Sequence, residues 1–203
     1  MSSQINDIFQ YENNDYYISA IEHEDNFFNI SDLGLNTRPG STACWRGYMG
    51  IFGLNKDKRL ILIELYATVC ENETPPKING VSPDIIEMRP RDPDFFSKLP
   101  EYVLIVGNVQ YSFVNLPIPY SGKIVITQDL VEERYFHMGF QPPSSYEKVL
   151  ELSFLEGQCV EVKDVSKKAG QKRSEVGGKS WEAAYDEDWI EKSFDLGYDD
   201  RWD

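Results

Sequence analysis

Trp45–Ala67, WRGYMGIFGLNKDKRLILIELYA, reads as two apolar runs, Trp45–Leu54 and Arg59–Ala67, joined by the polar, turn-forming Asn55-Lys56-Asp57-Lys58. Runs of this length, rich in β-branched and aromatic residues around a polar tetrapeptide, predict a β-hairpin. With Lys56-Asp57 as the loop, Phe52 falls opposite Ile61, Tyr48 opposite Leu65 and Ile51 opposite Leu62. Both faces of the ribbon are then apolar, so it is expected to be covered on both sides and central to the core. Gly47, Gly50 and Gly53 lie in its first strand. Glycine there marks a bulge, a bend, or close approach by another group, and a curved sheet accounts for it before a ligand does.

Strand signals continue on both sides of this hairpin. Val149–Phe154 and Gln158–Lys163 form another, and a three-residue Leu155-Glu156-Gly157 loop pairs Leu152 with Val160 and Leu150 with Val162. Tyr102–Val106 and Val109–Val114 flank Gly107-Asn108, a turn pair that accepts positive φ. Tyr16–Ile21 and Lys123–Thr127 are single strands, and Phe27–Ile30 is a short one, while residues 1–15 read as a loose arm or short helix. Pro117 and Pro119 confine their segment to an edge. Asp129 with Glu132 suits a helix cap, and Gly139 a left-handed end. The proline-dense Glu71–Pro100 is a long crossing loop with one helical turn near Asp94–Leu99. The fold class that follows is mainly β: an antiparallel sandwich or half-open barrel of hairpins, with one or two short helices and a C-terminal tail.

Two units are expected, a β-rich domain at 1–164 and a tail at 165–203. Lys163–Lys179 is basic and rich in Gly and Ser, which predicts a flexible linker. Glu182–Asp203 holds nine acidic residues against Lys192 and Arg201, half of the chain's net charge of −14. Trp181, Tyr185 and Trp189 recur every fourth residue, on one face of a helix, and Phe194 follows.

Charge excludes more than it assigns. A balance of −14 disfavours nucleic acid and anionic membrane surfaces, both of which demand a basic footprint. No run approaches the roughly 18 apolar residues of a membrane span. The opening MSSQINDIFQYENN lacks the basic and apolar segments of a secretory leader. Cys44, Cys70 and Cys159 have no paired spacing and read as reduced thiols of a cytoplasmic protein, not as a disulfide framework or zinc site.

The densest cluster of special residues is Asn115–Pro143, NLPIPYSGKIVITQDLVEERYFHMGFQPP. It contains the turn Tyr120-Ser121-Gly122 and His137, one of two histidines. A histidine suits general-base work, but no nucleophile motif accompanies it, and a hydrogen-bonded core or rim residue is the simpler reading. His23 and His137 with scattered carboxylates do not make a metal site, and no phosphate-binding loop is present, so no cofactor is expected. Through YMG, PPKING, NLPIPYSGKIVI and HMGFQ, residues 45–163 resemble a group of uncharacterised bacterial β-rich proteins. That resemblance implies no activity and transfers no site residue.

The function expected is therefore binding, not enzymatic: a small acidic protein that engages a basic protein partner, in the manner of an immunity protein or antitoxin. Trp181, Tyr185, Trp189 and Phe194 are its candidate anchors. The alternative is a small-ligand binder or hydrolase whose pocket is lined by Tyr48, Tyr120, His137 and Gln141.

Overall fold

Alternating and doubly apolar runs become strands in the computed structural model, which describes residues 2–70, 74–86, 107–175 and 192–202. The strands are β1 (Ile8–Tyr11), β2 (Asn14–Ile21), β3 (Tyr48–Leu54), β4 (Leu60–Ala67), β5 (Asp84–Ile85), β6 (Val109–Tyr111), β7 (Leu116–Pro117), β8 (Gly122–Leu130), β9 (Tyr146–Leu155) and β10 (Gln158–Asp164). They form one sheet in the order β10-β9-β8-β2-β1-β3-β4-β6-β5, with β7 also on β4. The protein is mainly β, as expected, and the sheet is not closed into a barrel. It is mixed, because β1 lies parallel to β3. The tips of the β3–β4 and β9–β10 hairpins meet, where Leu60 donates to the Gly157 carbonyl at 2.8 Å and Cys159 to that of Lys58 at 2.9 Å.

β3 and β4 are buried on both faces. Phe52, Leu60, Leu62 and Leu65 enter the main core; Met49, Ile51 and Tyr66 pack with Cys44 on the other side. The register differs from the expected one. Leu54 pairs with Leu60 and Phe52 with Leu62, then Ile51 with Glu64, leaving Ile63 as an extra residue. The loop takes three residues because Lys58 adopts a left-handed backbone, φ 57°, and the bulge restores the apolar face beyond it. At the β9–β10 hairpin the error runs the other way. Gln158 pairs with Leu155 across a two-residue Glu156-Gly157 turn, and a bulge at Val160 then brings Val162 opposite Leu152.

Further corrections are local. Residues 8–11 are a strand, since Glu12 and Asn13 both take positive φ and close a tight hairpin without glycine. Phe27–Ile30 is not a strand; 3-10 turns at Glu24–Asn26 and Ile30–Leu33 occupy that region. β8 runs on to Leu130, so Asp129 caps nothing, and the 3-10 turn at Glu132–Arg134 starts from Val131. Val109 and Gln110 are paired on both sides, by β4 and β5, and the proposed partner strand Tyr102–Val106 lies outside the described residues. So does the helical turn at Asp94–Leu99.

The expected linker is instead largely helix α1 (Ser166–Glu175), lying on β9. Ala169 is buried there among Ala20, Val125, Tyr146, Val149, Tyr198 and Trp202. Its basic residues hold backbone: Arg173 donates to the Tyr146 carbonyl at 2.8 Å and Lys172 to that of Trp202 at 2.8 Å. Residues 192–202 return along β2, where Ile21 donates to the Leu196 carbonyl at 2.7 Å. The short helix α2 (Tyr198–Arg201) follows. Among the described residues no helix is long and apolar enough to cross a membrane.

Candidate functional site

The approach to β3 is shaped by Gly47. Its φ is 72°, and a Cβ there would sit 2.1 Å from the Arg38 carbonyl oxygen, so the turn accepts only glycine. This turn sends Arg46 inward and leaves Trp45 at the surface. Arg46 Nη1 meets Asp7 Oδ2 at 2.7 Å, and its guanidinium lies 4.8 Å from the Tyr48 ring centroid and 5.6 Å from that of Phe140. Asp7, only 3% exposed, also accepts the Gly50 N–H at 2.6 Å. Both carboxylate oxygens are thus occupied, and the ion pair ties the N-terminal segment to the bent strand.

A second acidic group borders this pair. The carboxyl of Glu24 is pushed up to about 7 by burial, and then by its hydrogen bond to Asp195 and the charge of that residue. The Leu196 N–H, which donates to Glu24 Oε2 at 3.1 Å, and the Arg46 charge oppose the shift without cancelling it. Burial likewise pushes the Tyr48 phenol up to about 12. One residue before Asp195, Phe194 lies flat against Trp45, with ring centroids 4.8 Å apart and planes within 7°. Trp45 remains 45% exposed. The result is a stacked aromatic ledge beside an acid pair in which the Glu24 carboxyl is held well above the usual carboxylate range.

The nearby thiol of Cys44 is buried, and burial pushes it up, away from the nucleophilic thiolate. No cluster of three or more His, Cys, Asp or Glu side chains among the described residues is arranged to hold a metal ion.

The four expected pocket residues occupy separate surroundings, and no hydrogen bond or ring contact joins any two of them. Tyr48 belongs to the Arg46 cluster. Tyr120 is fully buried against Phe27 and Phe154, its hydroxyl donating to the carbonyls of Glu22 and Lys123. Gln141 is buried and staples its own loop, exchanging hydrogen bonds of 2.8 and 2.6 Å with the Phe136 backbone. His137 is exposed, edge-on to Tyr135 at 4.9 Å. Of the expected anchors, Phe194 is on the ledge, and Trp181, Tyr185 and Trp189 lie outside the described residues.

Sequence reasoning missed Asp7, Glu24, Trp45, Arg46 and Asp195. The usable signal was Trp45-Arg46-Gly47, an aromatic and a cation set by a glycine at the mouth of a doubly buried strand. A separate cleft of about 430 Å³ opens elsewhere, between the tips of the β1–β2 and β3–β4 hairpins and β10, lined by Tyr11, Leu54, Lys58, Cys159, Val160 and Glu161 among others.

Comparison with family models, with curated proteins and with solved structures returned no match.

Proposed function

We propose that this protein works by binding another, positively charged protein, and that the Trp45–Phe194 ledge with Glu24 and Asp195 beside it forms part of the contact face. The carrying observation is the ledge itself: a half-exposed tryptophan held flat against a second ring. Anchors of this kind lose little side-chain freedom on binding, which is why aromatic residues dominate interface energetics. The net charge of −14 favours a basic partner by speeding encounter. Neutralisation of a basic toxin, as an immunity protein or antitoxin would perform it, is the biological form this reading takes.

Capture from a lysate of the source cells with immobilised wild-type and Trp45→Ser proteins, compared quantitatively, tests the reading. The expected result is a basic protein retained by wild type, lost with Trp45→Ser and released by salt. Identical retention profiles for the two baits would overturn it.

A further inference from the structure

β10 is the last strand of the sheet. Its inner edge is laddered to β9. On the outer edge, among the described residues, the strand makes only the Arg59–Gln158 bridge and the bond from Cys159 to the Lys58 carbonyl, both at its first residues. Beyond them Val160–Asp164 is exposed, including Val160 at 59% and Val162 at 37%. Edges of this kind are ordinarily covered or blunted by charge, because unpaired N–H and C=O groups template further pairing. The one cation here, Lys163, has its charge offset by Glu161 at 2.8 Å.

The ladder determines which backbone groups are free. Val165 donates to the Val149 carbonyl at 2.9 Å, so Lys163 and Glu161 also turn their backbone groups toward β9 by alternation. Val162 and Asp164 turn theirs outward. Charge then selects the register in which a second copy could add. Antiparallel pairing about a two-fold axis at Glu161 would set that carboxylate against its own copy, and an axis at Lys163 would do the same with two ammonium groups. An axis at Val162 lets the outward Val162 backbones exchange hydrogen bonds and sets each Glu161 opposite Lys163 of the second copy, on one face. With the contact within each chain, the four side chains close an alternating square, and Glu151, opposite Lys163 on β9, extends the alternation.

We propose that β10 is a self-association edge, through which two copies of this chain join their sheets antiparallel about Val162. This reading is independent of the Trp45 ledge. The partner is specified by the strand's own charge order: a second copy matches it, with an isologous contact of the kind a two-fold dimer requires. Net negative charge on both copies opposes the pairing, so the dimer is concentration-dependent.

Sedimentation velocity from low micromolar to near-millimolar concentration tests this with three full-length variants, Glu161→Lys, Lys163→Glu and the double exchange. Both side chains are half exposed, and because Lys163→Glu also faces Glu151 the urea midpoint of each variant is measured alongside to establish that the monomer stays folded. Wild type is expected to dimerise, each single exchange to weaken the dimer about tenfold or more by opposing like charges twice, and the double exchange to restore it. A wild type that stays monomeric throughout overturns the proposal. So does a dimer indifferent to the single exchanges, or one that the double exchange fails to restore.

Discussion

Burial, and then the hydrogen bond and charge of Asp195, push the Glu24 carboxyl up to about 7 from an ordinary value of 4.5. A carboxyl raised by folding binds its proton more tightly in the native state, so its contribution is complete below the ordinary value and fades as pH rises through about 7. Wild-type urea midpoints should therefore fall, relative to Glu24→Gln, as pH goes from about 4.5 to about 7. Parallel profiles would remove Glu24 from the account. Asp7 acts through geometry, its buried carboxylate enclosed by Arg46 and the Gly50 N–H. Asp7→Ala leaves a largely enclosed guanidinium and an amide without their acceptor and should cost about 3 kcal/mol by denaturant unfolding, with Asp7→Asn costing less. Neither residue stands out in the sequence. Asp7 lies 39 positions from Arg46 and Glu24 lies 171 from Asp195, and acidic residues are too common in this chain for such pairs to declare themselves.

Turns decide how much of each element can be read in advance. The runs of β3, β4, β8 and β9 are plain in the sequence, because apolar patterning reports burial directly, whereas β10 is legible as a strand although its Val160 and Val162 are exposed. Their registers are not, since they hang on Lys58 and Glu156, two charged residues in left-handed backbone where glycine or asparagine would have signalled the turn. Bulges at Ile63 and Val160 then restore the apolar faces, so pairing by hydrophobicity alone goes astray on both hairpins. Glu156→Asn, at φ 48° with its backbone contacts kept, should raise stability by about 0.5–1 kcal/mol in chemical denaturation. Gly139 has the converse role: at φ 60°, with Ser193 Oγ 2.2 Å from where a Cβ would lie, it lets the Phe140 N–H reach the Ser193 carbonyl. Gly139→Ala should cost at least about 2 kcal/mol and speed amide exchange over 193–202.

At the scale of the molecule, composition misleads about the C-terminal region. A basic Gly/Ser-containing run followed by an acidic, aromatic one has the statistics of a linker and a loose tail. Instead Ser166–Glu175 is helical, and its lysines meet the end of the chain, with Lys168 Nζ 4.5 Å from the Trp202 ring centroid. The aromatic residues after 192 divide their roles. Tyr198 and Trp202 are buried and share Glu151 Oε2 at 2.5 and 3.3 Å, while Phe194 stays at the surface under Trp45. Phe194 is thus carried to Trp45 by a segment whose following residues, Leu196, Tyr198 and Trp202, are buried.

Urea unfolding of full-length Trp202→Ala tests that anchoring most directly. Trp202 is 1% exposed beneath α1, and its truncation should lower stability by about 3–5 kcal/mol. A change within about 0.5 kcal/mol of wild type, the range of an ordinary surface substitution, would contradict it.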